Sequence, residues 1–304
     1  ALSSAASDVY KRQIMMPILI VLSVIIAVYS VTRPGALAGV KYFLVPNVKN
    51  FSWMTVVSAM GQMFYSLSIA MGILITFGSY MKKDTAIEDS TRNVEVFDTG
   101  IAIMAGLMII PAVFAFSGGD PDTLQAGPSL MFITIPKVFQ NMGFGTVIGI
   151  VFFLLVLFAA VTSSIALTES AVSTFEDELG WGRKKATVLV GVIMLALGSL
   201  SSLGYGPLAG IKIIGMQFLD LFDFLTNSVM MPIAALLTSL LVSRVVGIDK
   251  IEEEIIHGES AFRRKKVFVV MIKYLCPVFA IIILLSSVAV SYTHLRAHET
   301  SAHL

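Results

Sequence analysis

The chain has 304 residues and a net charge of +1; 56% of it is hydrophobic and only 13% is charged, where soluble domains carry about 25% charged residues. That balance excludes an ordinary soluble enzyme and a nucleic-acid binder, whose footprint is a basic surface, and it points to several membrane spans rather than one anchor. The single cysteine, Cys276, excludes an intrachain disulfide and a four-cysteine metal site.

In chain order, residues 3–13 read SSAASDVYKRQ, which back-translates to a transposon-type sequencing-library adaptor. Residues 290–300, VSYTHLRAHET, back-translate to a reading through the inverted version of the same end. Segments 1–13 and 290–304 are therefore expected to be scars and are set apart from the fold. His294, His298 and His303 fall in the second of them, so no metal site is built from histidines. The remainder, 14–289, begins and ends inside apolar segments and is expected to be an internal piece of a longer membrane protein.

Hydropathy predicts about seven spans, near 14–32, 53–81, 96–117, 142–175, 186–203, 213–243 and 267–289. The fold class expected is an all-α membrane protein. The stretch GPSLMFITIPKVF (127–139) is apolar but too short to span, and it is expected to form a helical hairpin on the outer face. Lys and Arg number 3, 3 and 6 in the loops 81–96, 176–187 and 244–267, against 3, 1 and 1 in 33–52, 118–141 and 202–212. The positive-inside rule makes the first set cytoplasmic.

The most informative stretch is 58–84, SAMGQMFYSLSIAMGILITFGSYMKKD. It is apolar enough to span, yet Gln62, Tyr65, Ser66 and Ser68 crowd its outer half and Ala70-Met71-Gly72 follow. Polar groups at membrane depth are costly unless they face a partner, a cavity or an ion. Small residues beside them let a helix open and present backbone carbonyls to a ligand. A broken helix near 66–72, lining a substrate and ion site, is the reading that follows.

A second cluster is LFAAVTSSIALTES in the fourth span. A Thr162 or Ser163 hydroxyl plus a carbonyl one turn back, such as that of Ala159, offers hard oxygen ligands for a hard cation. The plainer account is that such hydroxyls bond back to their own helix or join helices together. Glu169 follows on the same face, and an intramembrane Glu is a functional candidate by default. Asp98 sits near the cytoplasmic start of the third span and reads equally as an interfacial acid. Asp220 and Asp223 mark the outer start of the sixth span, where the helix dipole alone accounts for Asp220. Glu176-Asp177-Glu178 faces Arg183-Lys184-Lys185 across Gly180-Trp181-Gly182 and reads as a solvated loop. No HExxH, GxSxG or P-loop occurs, so no enzymatic activity is expected.

The motifs GQMFYSLSIAMG, SYMKKD, AGLMIIPAVFAF, GPSLMFITIPKVF, FAAVTSSIA and FEDELGWGRKKA, in this order, resemble the neurotransmitter:sodium symporter family, in its bacterial amino-acid transporter branch. The resemblance covers nearly all of 14–289. It implies part of an inverted-repeat, leucine-transporter-like fold, about helices five to eleven, with four helices before and one after. It implies a secondary active transporter in a bacterial inner membrane, in which sodium drives symport of an amino acid by alternating access. The piece alone is expected to be inactive. No organic cofactor is implied; sodium ions are the coupling ions, and the partners are the amino acid, sodium and the lipid bilayer.

Residue by residue, the resemblance makes Ser66, Asp98, Ala159, Thr162 and Ser163 sodium ligands. It places Tyr65, Ser68, Ala70, Met71, Ser163 and Leu167 around the substrate. Asp223 becomes an outer-gate acid, and Asp177 and Tyr80 become inner-gate partners of an N-terminal arginine. Ala70 and Met71 stand where the leucine transporter has Gly and Phe, and Tyr65 replaces its gate Phe. A methionine adapts its shape, and Met71 suggests a bulky apolar or aromatic substrate side chain. A proton-coupled transporter of the same fold, with Glu169 or Asp98 carrying the proton, and a non-transporting membrane sensor or scaffold are the alternatives.

Overall fold

The computed structural model describes residues 2–118, 127–140, 143–258 and 261–287; the side chains of 2–15 and of residue 50 are outside that description. The segment 290–304, expected from the sequence to be extraneous, lies outside the described residues. At the other end the backbone is helical from Leu2.

The chain is nearly all helix. In order it forms α1 (Leu2–Val31), α2 (Ala36–Leu44), α3 (Trp53–Ser66), α4 (Ile73–Ser79), α5 (Ile87–Ser117), α6 (Leu130–Gln140), α7 (Gly145–Leu179), α8 (Arg183–Leu203), α9 (Phe218–Val246), α10 (Ile248–Gly258) and α11 (Lys265–Ser287). Among the described residues five helices, α5, α7, α8, α9 and α11, are long and apolar enough to cross a bilayer. Met16–Val31 and α2 form an apolar pair bent by 115°, a broken span or a re-entrant loop, with the turn at Arg33-Pro34-Gly35, where Gly35 has φ 83°. The predicted span 53–81 is the broken pair α3 and α4, each half too short to cross alone. Large apolar side chains stand exposed on these helices, as Val188, Val192 and Leu195 do on α8. A helix apolar all round with its face open belongs in lipid, so this is a multi-pass integral membrane protein.

Two compact units divide the chain. The first gathers 1–51 and 95–165. On α1, Leu19, Ser23, Ile26, Ala27 and Ser30 are buried, while Val21, Val24, Ile25 and Val28 are exposed; three- and four-residue steps put the buried set on one face. That face meets Met108, Ala112 and Val113 of α5 and Ile148, Phe152 and Leu155 of α7. Gly39 of α2 lies so close to α5 that an added Cβ would stand 2.8 Å from the Pro111 Cα. The Ser30 hydroxyl donates to the Met108 carbonyl at 2.7 Å, so a polar side chain inside the apolar core has its partner.

Helix α6 differs from the sequence expectation. Within the described residues it is one helix, π-helical over Leu130–Thr134, and not a hairpin. Ile135, Val138 and Phe139 are almost fully buried in the first unit's core, where the Phe139 and Phe152 rings meet edge to face. Three large apolar side chains on one stripe favour packing over lying on a surface. Residues 119–126, including the GDPD of the preceding loop, lie outside the described residues.

The second unit gathers 52–94 and 166–304. Its main core joins Phe64 of α3, Met231 and Ala235 of α9, and Ala280 and Ile283 of α11; Ile69, Ala70 and Met71 pack against it. A smaller core joins Val172 of α7 to Ala186 and Val190 of α8.

Candidate functional site

The break between α3 and α4 lies where the sequence places it. Helix α3 is opened by a capping box, in which the Ser52 and Thr55 side chains bond each other's backbone N–H, and it stops at Ser66. Helix α4 begins after Gly72. Between them Ser68, Ala70 and Gly72 adopt left-handed backbone, with φ of 54°, 64° and 79°. Left-handed backbone costs an L-residue roughly 1–2 kcal/mol, so the two non-glycine positions together store about 2–4 kcal/mol. A few hydrogen bonds hold the strained run: Ile69 N–H to the Phe64 carbonyl at 2.9 Å, Ser68 N–H to Tyr65 at 3.1 Å, and Thr76 N–H to Gly72 at 2.9 Å. Strain persists only where the surroundings over-determine it, and it concentrates at functional sites. A run with alternating backbone hand turns its carbonyls away from a helix axis, where an ion or substrate can use them.

The second unit holds an open cavity of about 890 Å³ beside α3. Gln62 and Tyr65 line it from α3, Asp223 and Asn227 from α9, and Ser286 and Ser287 from α11. Three residues singled out from sequence for different reasons, Gln62, Tyr65 and Asp223, thus meet around one space. Asn227 was missed. Its amide donates to an Asp223 carboxylate oxygen at 2.5 Å, and the four-residue spacing of the two on one helix face is the signal that could have found it.

Below the break, α4 is docked on the 166–179 half of α7. The Thr76 hydroxyl, buried, lies 3.3 Å from that of Ser170 and 3.4 Å from that of Ser173. The Tyr80 hydroxyl donates to Glu169 Oε1 at 2.8 Å. Glu169, nearly buried, also receives Arg183 at 2.5 Å, and the same guanidinium reaches Glu176 at 3.2 Å. The segment read as a solvated loop is therefore a fastened corner. Trp181 stacks on Phe175, their centroids 5.7 Å apart, and Lys185 stands 3.8 Å over the Trp181 ring. The sequence placed Arg183 opposite Glu176 but did not show its pairing with Glu169, because nothing in the run RKK marks which cation turns inward. Tyr80, expected to serve an N-terminal arginine, is engaged with Glu169, while Asp177 is exposed at the end of α7.

Four further candidates, Asp98, Ala159, Thr162 and Ser163, fall in the first unit. Thr162 is buried and donates to the Ala159 carbonyl at 2.9 Å. That bond is the ordinary back-bond of a helical Thr, and it also sets two hard oxygens side by side. Ser163 is exposed. Asp98 is half-buried and lies eleven residues inside α5, which starts at Ile87 rather than near 96. Glu88 and Asp89 in the first turn explain the earlier start, since acids suit a helix N-terminus. In the second unit Ser66 and Tyr65 are exposed at the end of α3, Ser68, Ala70 and Met71 are half-buried, and Leu167 is exposed on α7.

The comparisons with known proteins agree with this fold. The model of the Sodium:neurotransmitter symporter family matches residues 3–300. The uncharacterized sodium-dependent transporter YhdH of Bacillus subtilis is 32% identical over 278 residues, 91% of this chain and 61% of that protein. An uncharacterized sodium-dependent transporter of Methanocaldococcus jannaschii is 29% identical over 80% of this chain and 49% of its own length. One from Haemophilus influenzae is 30% identical over 90% and 59%. Among solved structures, the crystal structure of MhsT in complex with L-phenylalanine matches with a TM-score of 0.77 and 33% identity, over 90% of this chain and 61% of that one. The chain thus spans about half to three-fifths of the length of these relatives.

Proposed function

Because the chain belongs to the sodium:neurotransmitter symporter family, whose members are transporters and not enzymes, we propose that it forms the greater part of a sodium-coupled symporter for an amino acid with a bulky apolar or aromatic side chain, acting by alternating access in a bacterial inner membrane. The observation that carries the reading is the left-handed run at Ser68, Ala70 and Gly72 between two half-helices, in a chain one-third identical to a protein solved with L-phenylalanine. In this reading Ser66, Asp98, Ala159, Thr162 and Ser163 supply oxygens to sodium. Tyr65, Ser68, Ala70, Met71, Ser163 and Leu167 surround the substrate. Gln62 and Asp223 belong to an outer approach, Tyr80 and Asp177 to an inner gate. Segments 1–13 and 290–304 are extraneous in this reading, and the chain needs the rest of the transporter to work.

Energetically, one elementary charge crossing 100 mV supplies about 2.3 kcal/mol, so even a single sodium ion drives substantial accumulation. A proton-coupled version with Glu169 as the carrier is disfavoured by its Arg183 and Tyr80 partners, which commit the carboxylate to a structural pair. The deciding experiment is uptake of L-phenylalanine by the full-length transporter in proteoliposomes, under a sodium gradient and under a proton gradient. Thr162→Ala and Ser163→Ala should each raise the half-saturating sodium concentration. Uptake that follows the proton gradient alone, or an unchanged sodium dependence in both variants, would overturn the assignment.

A further inference from the structure

The strained run 67–72 has two ends, and the second unit anchors them differently. Its outer end rests on apolar packing: Phe64 is buried among Met231, Ala235, Ala280 and Ile283, with Ile69, Ala70 and Met71 against them. Its inner end rests on polar contacts to one short stretch of α7. Gly72, Thr76 and Tyr80 follow one another at four-residue steps, so they share a face of α4 and its cap. Opposite them stand Ser170, Ser173 and Glu169, which likewise share a face of α7. Glu169 is held in turn by Arg183.

Gly72 also lies against Ser170. A Cβ built there would stand 2.8 Å from the Ser170 hydroxyl oxygen, a separation that real Cβ atoms do not show. Gly72 is also left-handed, with φ 79°, and is the residue before the first turn of α4. The backbone hand calls for glycine here, and a Cβ would in addition force the Ser170 hydroxyl to move. Ser170 is buried, and its hydroxyl meets Thr76 one turn further along.

We infer that Ser170 is a positioning residue for the 67–72 run: by contact with Gly72 and Thr76 it sets where α4 begins, and so where the strained carbonyls are presented to the ion and substrate. The inference rests on the transport reading above for its consequence, though not for its geometry. A purely structural serine would hold α4 against α7 without affecting ligand affinity. A positioning serine couples to Gly72, because the oxygen and the absent Cβ compete for the same space.

The test is a double-mutant cycle in the full-length transporter. Gly72→Ala alone should raise the half-saturating sodium and substrate concentrations about tenfold or more, with smaller loss of maximal uptake per molecule in the membrane. Ser170→Ala alone should raise them about two- to threefold. In the double variant G72A/S170A the new methyl gains the space the oxygen leaves, so affinity should return toward wild type by about fivefold relative to G72A, as contacting residues couple by such factors. If G72A acts only through backbone hand, S170A gives no rescue and the inference falls. It falls also if the loss is confined to maximal uptake. Hydrogen exchange across 67–79, which needs no transport, separates this claim from the functional one. G72A should speed exchange there and G72A/S170A should slow it again, even if the wild type shows no sodium-driven uptake; exchange equally fast in both variants would overturn the positioning role by itself.

Discussion

Removing the Arg183 side chain should weaken the packing of α4 and α8 on α7 by a measurable and specific amount. Its guanidinium lies 2.5 Å from Glu169, and a unit pair at that distance gains about 7 kcal/mol at an effective dielectric near 20. Desolvation takes back several kcal/mol per ion. Arg183 is about a third exposed while Glu169 is only 11% exposed, so the pair lies between a surface bridge, worth about 0–1 kcal/mol, and a buried one, whose broken form costs about 3–5 kcal/mol. A loss of about 2–3 kcal/mol is therefore expected for Arg183→Gln, because it leaves a buried carboxylate without its cation and with the Tyr80 hydroxyl still donating to it; the Glu176 contact adds little. Glu169→Gln should cost about 1–2 kcal/mol, since the amide keeps the Tyr80 partner, and R183Q/E169Q should cost less than the sum by about 1.5 kcal/mol or more. The assay is thermal unfolding of the detergent-purified transporter with the four proteins side by side. Each kcal/mol corresponds to about 1–2 °C in a protein this large, so the coupling appears as a shift of about 2 °C. Raising salt to 0.5 M should leave it largely intact, as buried pairs are weakly screened. Additive single-mutant losses, or a coupling abolished by salt, would show that Glu169 and Arg183 do not form a buried pair.

Gly39→Ala should lower thermal stability by about 1–3 kcal/mol, because the new methyl would stand 2.8 Å from the Pro111 Cα and 2.9 Å from the Phe114 Cβ; an unchanged melting temperature would mean that α2 and α5 separate freely. Met71→Phe should shift competition profiles toward smaller amino acids, and coincident profiles for mutant and wild type would place the side-chain pocket elsewhere. Asp98→Asn should abolish uptake or create a chloride requirement absent from the wild type, since a fixed carboxylate beside a cation at about 4 Å is worth roughly 4 kcal/mol before desolvation. A wild type that stops when gluconate replaces chloride, or a mutant normal in both salts, would count against that role.

Much of this architecture is local in origin and therefore legible in the chain. Composition and the length of apolar runs mark where helices cross, because a bilayer demands about 20 apolar residues whatever surrounds them. The broken helix is legible for a similar reason. Hydroxyls and an amide beside Ala70-Met71-Gly72 have no cheap place in lipid, and left-handed backbone follows at Ser68, Ala70 and Gly72. Gln62 and Tyr65 were visible as polar residues inside a span and Asp223 as an acid at the start of one, although their meeting around one cavity was not. What the tertiary structure decided is partnership. Arg183, and not Lys184 or Lys185, turns to Glu169. Ser170 is one of several serines on α7, yet it alone closes on Gly72. Helix α6 buries Ile135, Val138 and Phe139 instead of folding back as a surface hairpin. Residue type says what a side chain needs, an ion, a donor or an apolar wall. Where that need is met depends on how helices far apart in sequence cross, and that geometry is set by the packing of whole faces.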